Sequence, residues 1–379
     1  MSMRSWTLRS MWEEVFMYGV SWCWKGSRCL RPKGRADRVI GPAGRFGPQD
    51  PHVFGRNRGE LWSMWPDRGI YWFETVDMLL RMHGTLQVDC PAKVNLALAV
   101  APPGLDNMHQ ISSWFITIDM KDTLELTALP DDGISCYGIV WADDAPRKTE
   151  IEWPIQDDLA VRAHMALERQ VRRRLPVKMK LTKRIPVGGG LGGGSSNAAA
   201  MLRGLNRLFQ LEIPNEQLEE VGSGLGSDVP FLVSGGSAHV RGLGEKLSPG
   251  RVPGLHMVLV FPEASCRTGS VYGHFDTMLR EDHVIDDERV SGLIDSAVVS
   301  PDAPFNDLQD AAMDLYPELA DVASRVEALA ERSVHLSGSG STLYVICDDP
   351  LHAEALAAAI SEQLEIPAIA TGSQQEEGS

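Results

Sequence analysis

Hydrophobic and polar residues begin to alternate at Gly84, and the alternation continues through two consecutive stretches. Apolar side chains occupy every second position from Leu86 to Cys90 and again from Val94 to Val100. A period of two is typical of β-strands, so the pattern predicts two strands here. Further strands are predicted over residues 111–118, 123–127 and 177–181.

Helical spacing replaces the alternation over residues 159–175 and 197–211. Strands and helices are mixed without a strict β-α-β repeat, which predicts an α+β fold rather than a doubly wound sheet. A strand-like run over residues 256–261 restarts the pattern, so we expect a second domain. The predicted organisation is an N-terminal extension over 1–83, domains over 84–253 and 254–370, and a frayed tail over 371–379.

The extension over residues 1–83 has no sustained period of 2 or 3.6, although it holds seven of the ten tryptophans. No apolar face could bury these rings, so we expect the segment to be poorly ordered or to arise from a mis-assigned start codon. An accessory arm that binds a partner is the alternative. No run approaches the about 20 apolar residues that span a bilayer, and we expect no membrane partner.

Charge is distributed unevenly along the chain, whose formal net charge is -15. Residues 1–81 carry 13 Lys+Arg against 8 Asp+Glu, whereas the remaining 298 residues carry 23 against 43. An acidic body of this kind argues against a nucleic-acid-binding surface. We therefore expect a small-molecule substrate and no nucleic acid.

The six cysteines are scattered without a CxxC pair, and the ten histidines form no HxxxH pair. Neither a protein-bound metal site nor a disulfide framework is indicated by these spacings. A reduced, cytoplasmic location fits this cysteine usage best.

The strongest chemical signal is a glycine-rich loop with six glycines in the seven positions of 188–194. Glycine amides can converge on one point because no Cβ blocks a close approach, and the helix that follows adds its own N-terminal amides. The pattern predicts phosphate binding, but it lacks the Gly-Lys-Ser/Thr ending of a Walker A loop and is not a Rossmann fingerprint. The candidate phosphate-binding residues are Pro186, Gly188, Gly189, Gly190, Leu191, Gly192, Gly193, Gly194, Ser195 and Ser196.

Three further motifs accompany the loop. Lys93 and Asn95 share one face of a predicted strand that is otherwise apolar. Asp228 lies in a glycine-rich turn, where a lone Asp is more often a helix cap or an Asx-turn than a catalytic group. A second small-residue loop over residues 337–342 leads into a predicted strand.

The four motifs, in this order, resemble those of the GHMP kinase family, which includes galactokinase, homoserine kinase and mevalonate kinase. The resemblance covers roughly residues 84–370. Within the family, Pro-Ala-Lys-Val-Asn-Leu at 91–96, Gly-Ser-Asp-Val-Pro-Phe at 226–231 and Asn-Asp-Leu at 306–308 are most similar to kinases that act on cytidine-diphosphate-linked methylerythritol in the non-mevalonate isoprenoid pathway.

The resemblance implies a fold and a set of roles. The first domain would be a ribosomal-protein-S5-like ATP domain and the second a ferredoxin-like domain, with catalysis in the cleft between them. Asp228 would be the general base, and Lys93 would lie beside it and face the transferred phosphoryl group. ATP would be the phosphoryl donor with Mg²⁺ bridging its phosphate oxygens, and Lys183 and the region of Asp158 would lie near the adenine.

The resemblance also implies that Asn95, His109 and Tyr272 bind the acceptor, with the cytosine between the Met108–His109 segment and Tyr272. The chain departs from its family in this segment, where Met108 replaces the usual tyrosine. A thioether can still lie against an aromatic face.

Two alternatives stay open. Another GHMP small-molecule kinase, of the mevalonate, homoserine or sugar type, would generally lack the Lys93–Asn95 pair. A non-catalytic nucleotide-binding protein would need neither Lys93 nor Asp228. The pattern is compatible with a monomer or a homodimer.

Overall fold

The computed structural model describes residues 22–23, 84–296 and 298–374 of the 379-residue chain. The described elements from Thr85 onward all belong to one compact unit. The predictions about the extension over residues 1–83 lie outside the described residues, apart from the two-residue strand Trp22–Cys23.

The described strands and helices alternate along the chain in the mixed order that the sequence predicts. The strands are β1 (Trp22–Cys23), β2 (Thr85–Pro103), β3 (His109–Ala128), β4 (Cys136–Trp141), β5 (Val177–Lys183), β6 (Ser237–Gly242), β7 (Lys246–Pro249), β8 (His256–Val260), β9 (Phe305–Asn306), β10 (His335–Leu336), β11 (Leu343–Cys347) and β12 (Ala368–Gly372). The helices are α1 (Leu159–Val171), α2 (Gly193–Leu208), α3 (Asn215–Ser223), α4 (Val229–Ser234), α5 (Thr268–Met278), α6 (Asp287–Ile294), α7 (Gln309–Leu315), α8 (Pro317–Ala330) and α9 (Pro350–Leu364), and a 3-10 turn covers Ile155–Asp157.

The larger sheet is built around the antiparallel hairpin of β2 and β3. β5 and β6 pair antiparallel with different parts of β3, and β4 runs parallel to β5. β9 adds a short parallel edge to β2. Helices α1 and α2 contribute buried apolar side chains to the same core as β3 and β5, so one face of this sheet is covered by helices.

The smaller sheet is antiparallel and four-stranded, in the order β10-β11-β8-β12. Apolar residues of α7, α8 and α9 pack with β8 and β11 in a second core. A mixed larger sheet and an antiparallel smaller sheet, both packed against helices, confirm the predicted α+β class. Among the described helices, none is both long and apolar enough to cross a membrane.

Several predicted elements differ from the structure at their ends. The two predicted strands before Val100 form one strand of 19 residues, β2, and the two predicted between 111 and 127 form β3. The tail prediction is wrong at its start, because β12 runs to Gly372 and pairs with β8, and Ser373 bridges to Ile118.

The predicted boundary between residues 253 and 254 stays a prediction. A third core cluster contains Val94 and Ile116 from the first sheet together with Met257 and Tyr344 from the second. The two sheets therefore share buried apolar contacts, and the residues of the site lie along this shared region.

Candidate active site

A cavity of about 620 Å³ brings together residues that are far apart in the sequence. Lys93, Asn95, His109, Asp228 and Tyr272, which carry the predicted catalytic and acceptor-binding roles, all line it. From the glycine-rich loop, Gly190 and Gly192 reach the cavity wall. The sites predicted for acceptor and phosphate therefore adjoin.

Lys93 lies on β2 in a short stretch bounded by two register shifts, between Pro91 and Lys93 and between Asn95 and Ala97. Such irregularities change the direction in which the neighbouring side chains point. The ammonium group is almost fully buried, donates to Oδ1 of Asn95 at 2.7 Å, and lies 4.8 Å from the centre of the Phe115 ring. The site therefore holds a desolvated positive charge with a fixed direction.

Asp228 precedes helix α4, but its side chain does not cap that helix. Its Oδ2 instead lies 3.6 Å from Nζ of Lys93, and the hydroxyl of Ser227 donates to its Oδ1 at 3.4 Å. The carboxylate is half-buried and faces the cavity. A carboxylate placed next to a buried ammonium and open to a ligand can accept a proton from a bound hydroxyl.

Two glycines of the loop are required by their surroundings. Gly190 has φ +75°, and a Cβ there would lie 2.0 Å from the carbonyl oxygen of Ser337. Gly192 has φ +67°, and a Cβ there would lie 3.0 Å from Cγ of Lys93. Any larger residue would therefore displace either the second small-residue loop or the Lys93 side chain.

The loop ends at the N-terminus of helix α2, which begins at Gly193 and includes the two predicted serines. Ser195 is half-buried, whereas Ser196 is fully buried and its hydroxyl has no hydrogen-bond partner among the described residues. Backbone amides at a helix N-terminus attract anions, and a hydroxyl without a partner adds a polar group that a ligand could satisfy.

The second small-residue loop, residues 337–342, packs directly on the glycine-rich loop. The hydroxyl of Ser337 donates to the carbonyl of Gly190 at 3.1 Å, and the amide of Thr342 donates to the carbonyl of Gly189 at 3.2 Å. Asn306 donates to the carbonyl of Gly338 at 2.7 Å and so fixes this loop in turn. The predicted Asn-Asp-Leu motif therefore supports the site without lining the cavity.

Lys183, which was predicted to lie near the adenine, is buried beside the start of the loop and does not line the cavity. Its ammonium donates to Oδ2 of Asp122 at 2.6 Å and to Oδ1 of Asn197 at 3.1 Å. Oδ1 of Asp122 accepts the backbone amides of Arg184 and Ile185. The ion pair thus anchors the segment that enters the loop, and its contact with ATP stays a prediction.

Asp158, also expected near the adenine, caps helix α1 by accepting the amide of Ala160 at 2.9 Å. Its other oxygen accepts from Nε1 of Trp153 at 3.2 Å. Burial raises the pKa of this carboxyl group, although the two hydrogen bonds lower it in part. The local structure explains Asp158 as a helix cap, and an adenine contact there remains untested.

At the other end of the cavity, His109 and Tyr272 face each other with ring centres 4.9 Å apart. Burial, followed by the nearby charge of Asp228, raises the pKa of the Tyr272 phenol to about 12, so the ring stays neutral at physiological pH. Met108 is half exposed at the cavity mouth. Two van der Waals contacts across a stacked base would need roughly 7 Å, so a base cannot lie between the His109 and Tyr272 rings as they stand.

Sequence reasoning missed Asp276, which lies four residues after Tyr272 on helix α5 and therefore on the same helix face. It lines the cavity, and its Oδ1 lies 3.5 Å from Nε2 of His109. The helical spacing from Tyr272 was the available signal. Ser113, which accepts from Asn95 at 2.9 Å, was also missed and gave no signal in the sequence.

Comparison with known proteins bears on the family of the chain. The family description "GHMP kinases N terminal domain" matches residues 158–236, and "GHMP kinases C terminal" matches residues 298–366. A 4-diphosphocytidyl-2-C-methyl-D-erythritol kinase from Gloeobacter violaceus is 32% identical over 285 residues, which are 73% of this chain and 90% of that protein. The chain belongs to the GHMP kinase family.

Other relatives of this GHMP kinase carry the same name. The protein from Geobacillus kaustophilus is 36% identical over 265 residues, covering 68% of this chain and 87% of the relative. A crystal structure of 4-(cytidine 5'-diphospho)-2C-methyl-D-erythritol kinase matches with a TM-score of 0.61 and 31% identity, over 76% of this chain and 100% of that one. The predicted family is confirmed, and these relatives are kinases of the kind within it that the motifs resemble.

Proposed function

We propose that this GHMP kinase transfers the γ-phosphoryl group of ATP to the 2-hydroxyl of 4-diphosphocytidyl-2-C-methyl-D-erythritol, a step of non-mevalonate isoprenoid precursor synthesis. The observation that carries the proposal is a single cavity lined by both the Lys93–Asp228 pair and the His109–Tyr272 pair. The relatives at 32% and 36% identity, which are named for this acceptor, support it.

Asp228 acts as the general base in this proposal. Its carboxylate takes the proton of the acceptor hydroxyl as the hydroxyl oxygen bonds to the γ-phosphorus, and the bond from that phosphorus to the bridging oxygen of ADP breaks. Its half-buried position on the cavity wall supports this role, because the base must reach a bound hydroxyl.

Lys93 stabilises negative charge on the attacking oxygen and on the transferred group. Phosphoryl transfer depends mainly on positioning and charge neutralisation, so a buried ammonium held by Asn95 is well suited to it. Because the charge is desolvated before the substrate arrives, little reorganisation is needed during the reaction.

The glycine-rich loop and the start of α2 hold the triphosphate. Their fit rests on the positive-φ glycines and on the unpartnered hydroxyl of Ser196. Among the described residues, no group of three or more His, Cys, Asp or Glu side chains could hold a metal by itself. Mg²⁺ would therefore be held mainly by phosphate oxygens, with Ser196 as an available protein ligand, and would neutralise phosphate charge.

The cytidine end of the acceptor lies against Tyr272, with its edge toward His109. Because these rings are only 4.9 Å apart, the base stacks on the cavity side of Tyr272 rather than between the two rings, with Met108 near its other face. We include in this proposal a cytoplasmic location, where ATP is available, and a monomeric or homodimeric state.

An acceptor panel tests the proposal. Purified protein is supplied with ATP, Mg²⁺ and one acceptor at a time: the cytidine compound, its uridine analogue, mevalonate or homoserine. ADP release is measured by a coupled assay. We expect the highest kcat/KM with the cytidine compound, and a higher kcat/KM with mevalonate or homoserine would overturn the acceptor assignment.

A further inference from the structure

Two hydrogen-bond acceptors lie beside His109, at the end of the cavity proposed to bind the base. His109 Nδ1 lies 2.9 Å from the carbonyl oxygen of Ala101. A carbonyl oxygen can only accept, so Nδ1 carries a hydrogen and donates to it.

Asp276 provides the second acceptor. Its Oδ1 is buried from solvent and has no hydrogen-bond partner among the described residues, although it lies 3.5 Å from His109 Nε2. That distance is longer than a good hydrogen bond. A buried carboxylate oxygen left without a donor is costly, so the arrangement points to a donor that is supplied by the ligand.

We propose that Asp276 reads the exocyclic amino group of the cytosine by accepting a hydrogen bond from it, and that Asp276 is thereby a specificity-determining residue. The inference rests on the proposed function. An amino group offers two N–H donors, one of which can satisfy Asp276 Oδ1. Uracil presents a carbonyl oxygen at the same position, where it would meet a further acceptor.

The geometry of helix α5 fits this reading. Tyr272 and Asp276 are four residues apart, so the ring that stacks on the base and the carboxylate that meets its edge come from one rigid helix face. Both residues line the same cavity as Lys93 and Asp228. Recognition of the base and placement of the reacting hydroxyl are therefore linked through one bound molecule.

Substitution of Asp276 tests the inference through selectivity. Asp276→Ala removes the acceptor, and we expect kcat/KM for the cytidine compound to decrease about 10- to 100-fold, as for loss of a buried charged hydrogen bond, with little change for the uridine analogue. Asp276→Asn keeps the shape of the side chain but can donate to the uracil carbonyl. The kcat/KM for the uridine analogue should therefore be higher in this variant than in wild type. The KM for ATP should stay within about twofold in both variants, because base recognition is remote from the triphosphate.

A second His–Asp pair, formed by His274 of α5 and Asp314 of α7, provides a matched control. His274 Nε2 lies 2.6 Å from Oδ2 of Asp314 in an exposed pair that is not part of the cavity. Asp314→Asn removes a carboxylate from a His–Asp pair of the same kind and should leave the cytidine-to-uridine ratio unchanged. Melting temperatures of all variants separate loss of selectivity from loss of fold.

Binding of cytidine 5'-monophosphate and uridine 5'-monophosphate, measured by calorimetry, provides a readout that does not depend on turnover. We expect wild type to prefer the cytidine nucleotide and Asp276→Ala to lose that preference. An unchanged preference in Asp276→Ala, or equal losses for the two nucleotides, overturns the inference even if the cytidine compound is the best acceptor. Turnover of mevalonate or homoserine in place of the cytidine compound overturns the proposed function, and nucleotide binding then decides the Asp276 inference by itself.

Discussion

The ammonium group of Lys93 lies 3.6 Å from Oδ2 of Asp228, and it simultaneously donates to Oδ1 of Asn95 at 2.7 Å. Asn95 in turn donates to Ser113 on the neighbouring strand. The position of Lys93, the lysine with the proposed catalytic role, therefore depends on a chain of side-chain contacts across β2 and β3. Because the lysine is buried, these contacts fix its direction more strongly than they would on a surface.

Asn95→Ala should lower kcat through misplacement of Lys93. Small displacements in an active site can cost about 100-fold in rate, so we expect a decrease of up to that size, with the KM for ATP nearly unchanged. Asn95→Asp keeps an oxygen for Lys93 and should retain more activity than Asn95→Ala. Thr127→Ala, at the other end of the same hairpin, is the control and should keep the wild-type kcat in steady-state kinetics. Equal kcat values for Asn95→Ala and wild type would contradict the positioning role.

Tyr272→Ala should weaken binding of the acceptor and leave binding of ATP unchanged. Base–aromatic stacking is worth about 1–3 kcal/mol, so the acceptor KM should rise roughly 5- to 150-fold while the KM for ATP is unchanged. Met108→Tyr places an aromatic ring at the cavity mouth and should tighten acceptor binding or leave it unchanged. Acceptor titrations at saturating ATP measure both effects, and an unaltered acceptor KM in Tyr272→Ala would exclude stacking on this ring.

Asp122→Ala should destabilise the protein, because it leaves the Lys183 ammonium buried without its carboxylate. Breaking a buried ion pair typically costs about 3–5 kcal/mol. The double variant Asp122→Ala with Lys183→Met removes both charges and should cost less than the two single changes combined. Urea unfolding measures this cycle. The double variant also lacks Lys183, so it tests the predicted contact of this lysine with ATP. If the contact exists, the KM for ATP should increase.

His335 should make the folded state sensitive to mild acid. Burial lowers the pKa of this ring from its ordinary value of 6.5, and its Nε2 lies 2.7 Å from the carbonyl of Pro301. The unfolded chain then binds a proton at a higher pH than the folded chain does, so the free energy of unfolding decreases as pH falls below about 6.5. Melting temperatures at pH 7 and pH 5 should therefore differ less in His335→Gln than in wild type.

The fold class and the glycine-rich loop before helix α2 were predictable because local patterns specify them. Alternation of apolar residues predicts the strands, and a glycine run before a helix predicts an anion site. The joining of two predicted strands into β2 was not predictable, because the register shifts beside Lys93 and Asn95 depend on pairing with β3. The approach of Lys93 to Asp228 followed only from the family resemblance, since no local pattern links these positions.

Buried polar partners explain the other differences. The ion pair of Lys183 with Asp122 joins residues 61 positions apart, and a lysine beside a phosphate loop otherwise suggests a nucleotide contact. Asp276 was missed because a single aspartate on a helix is usually solvated, and its unpaired oxygen is visible only in three dimensions. For both residues the neighbouring side chain lies on another element of the fold: Asp122 beside Lys183, and His109 beside Asp276.

Asp228, beside Lys93, is the proposed general base in phosphoryl transfer to the cytidine compound. This role is tested by comparing kcat, with ATP and this acceptor, between wild type and Asp228→Asn. Binding of a non-hydrolysable ATP analogue is measured in parallel. We predict a loss of about 10²–10⁴-fold in kcat, as for removal of a general base, with analogue affinity within about threefold of wild type. A kcat for Asp228→Asn close to that of wild type, in protein that binds the analogue normally, would contradict the account.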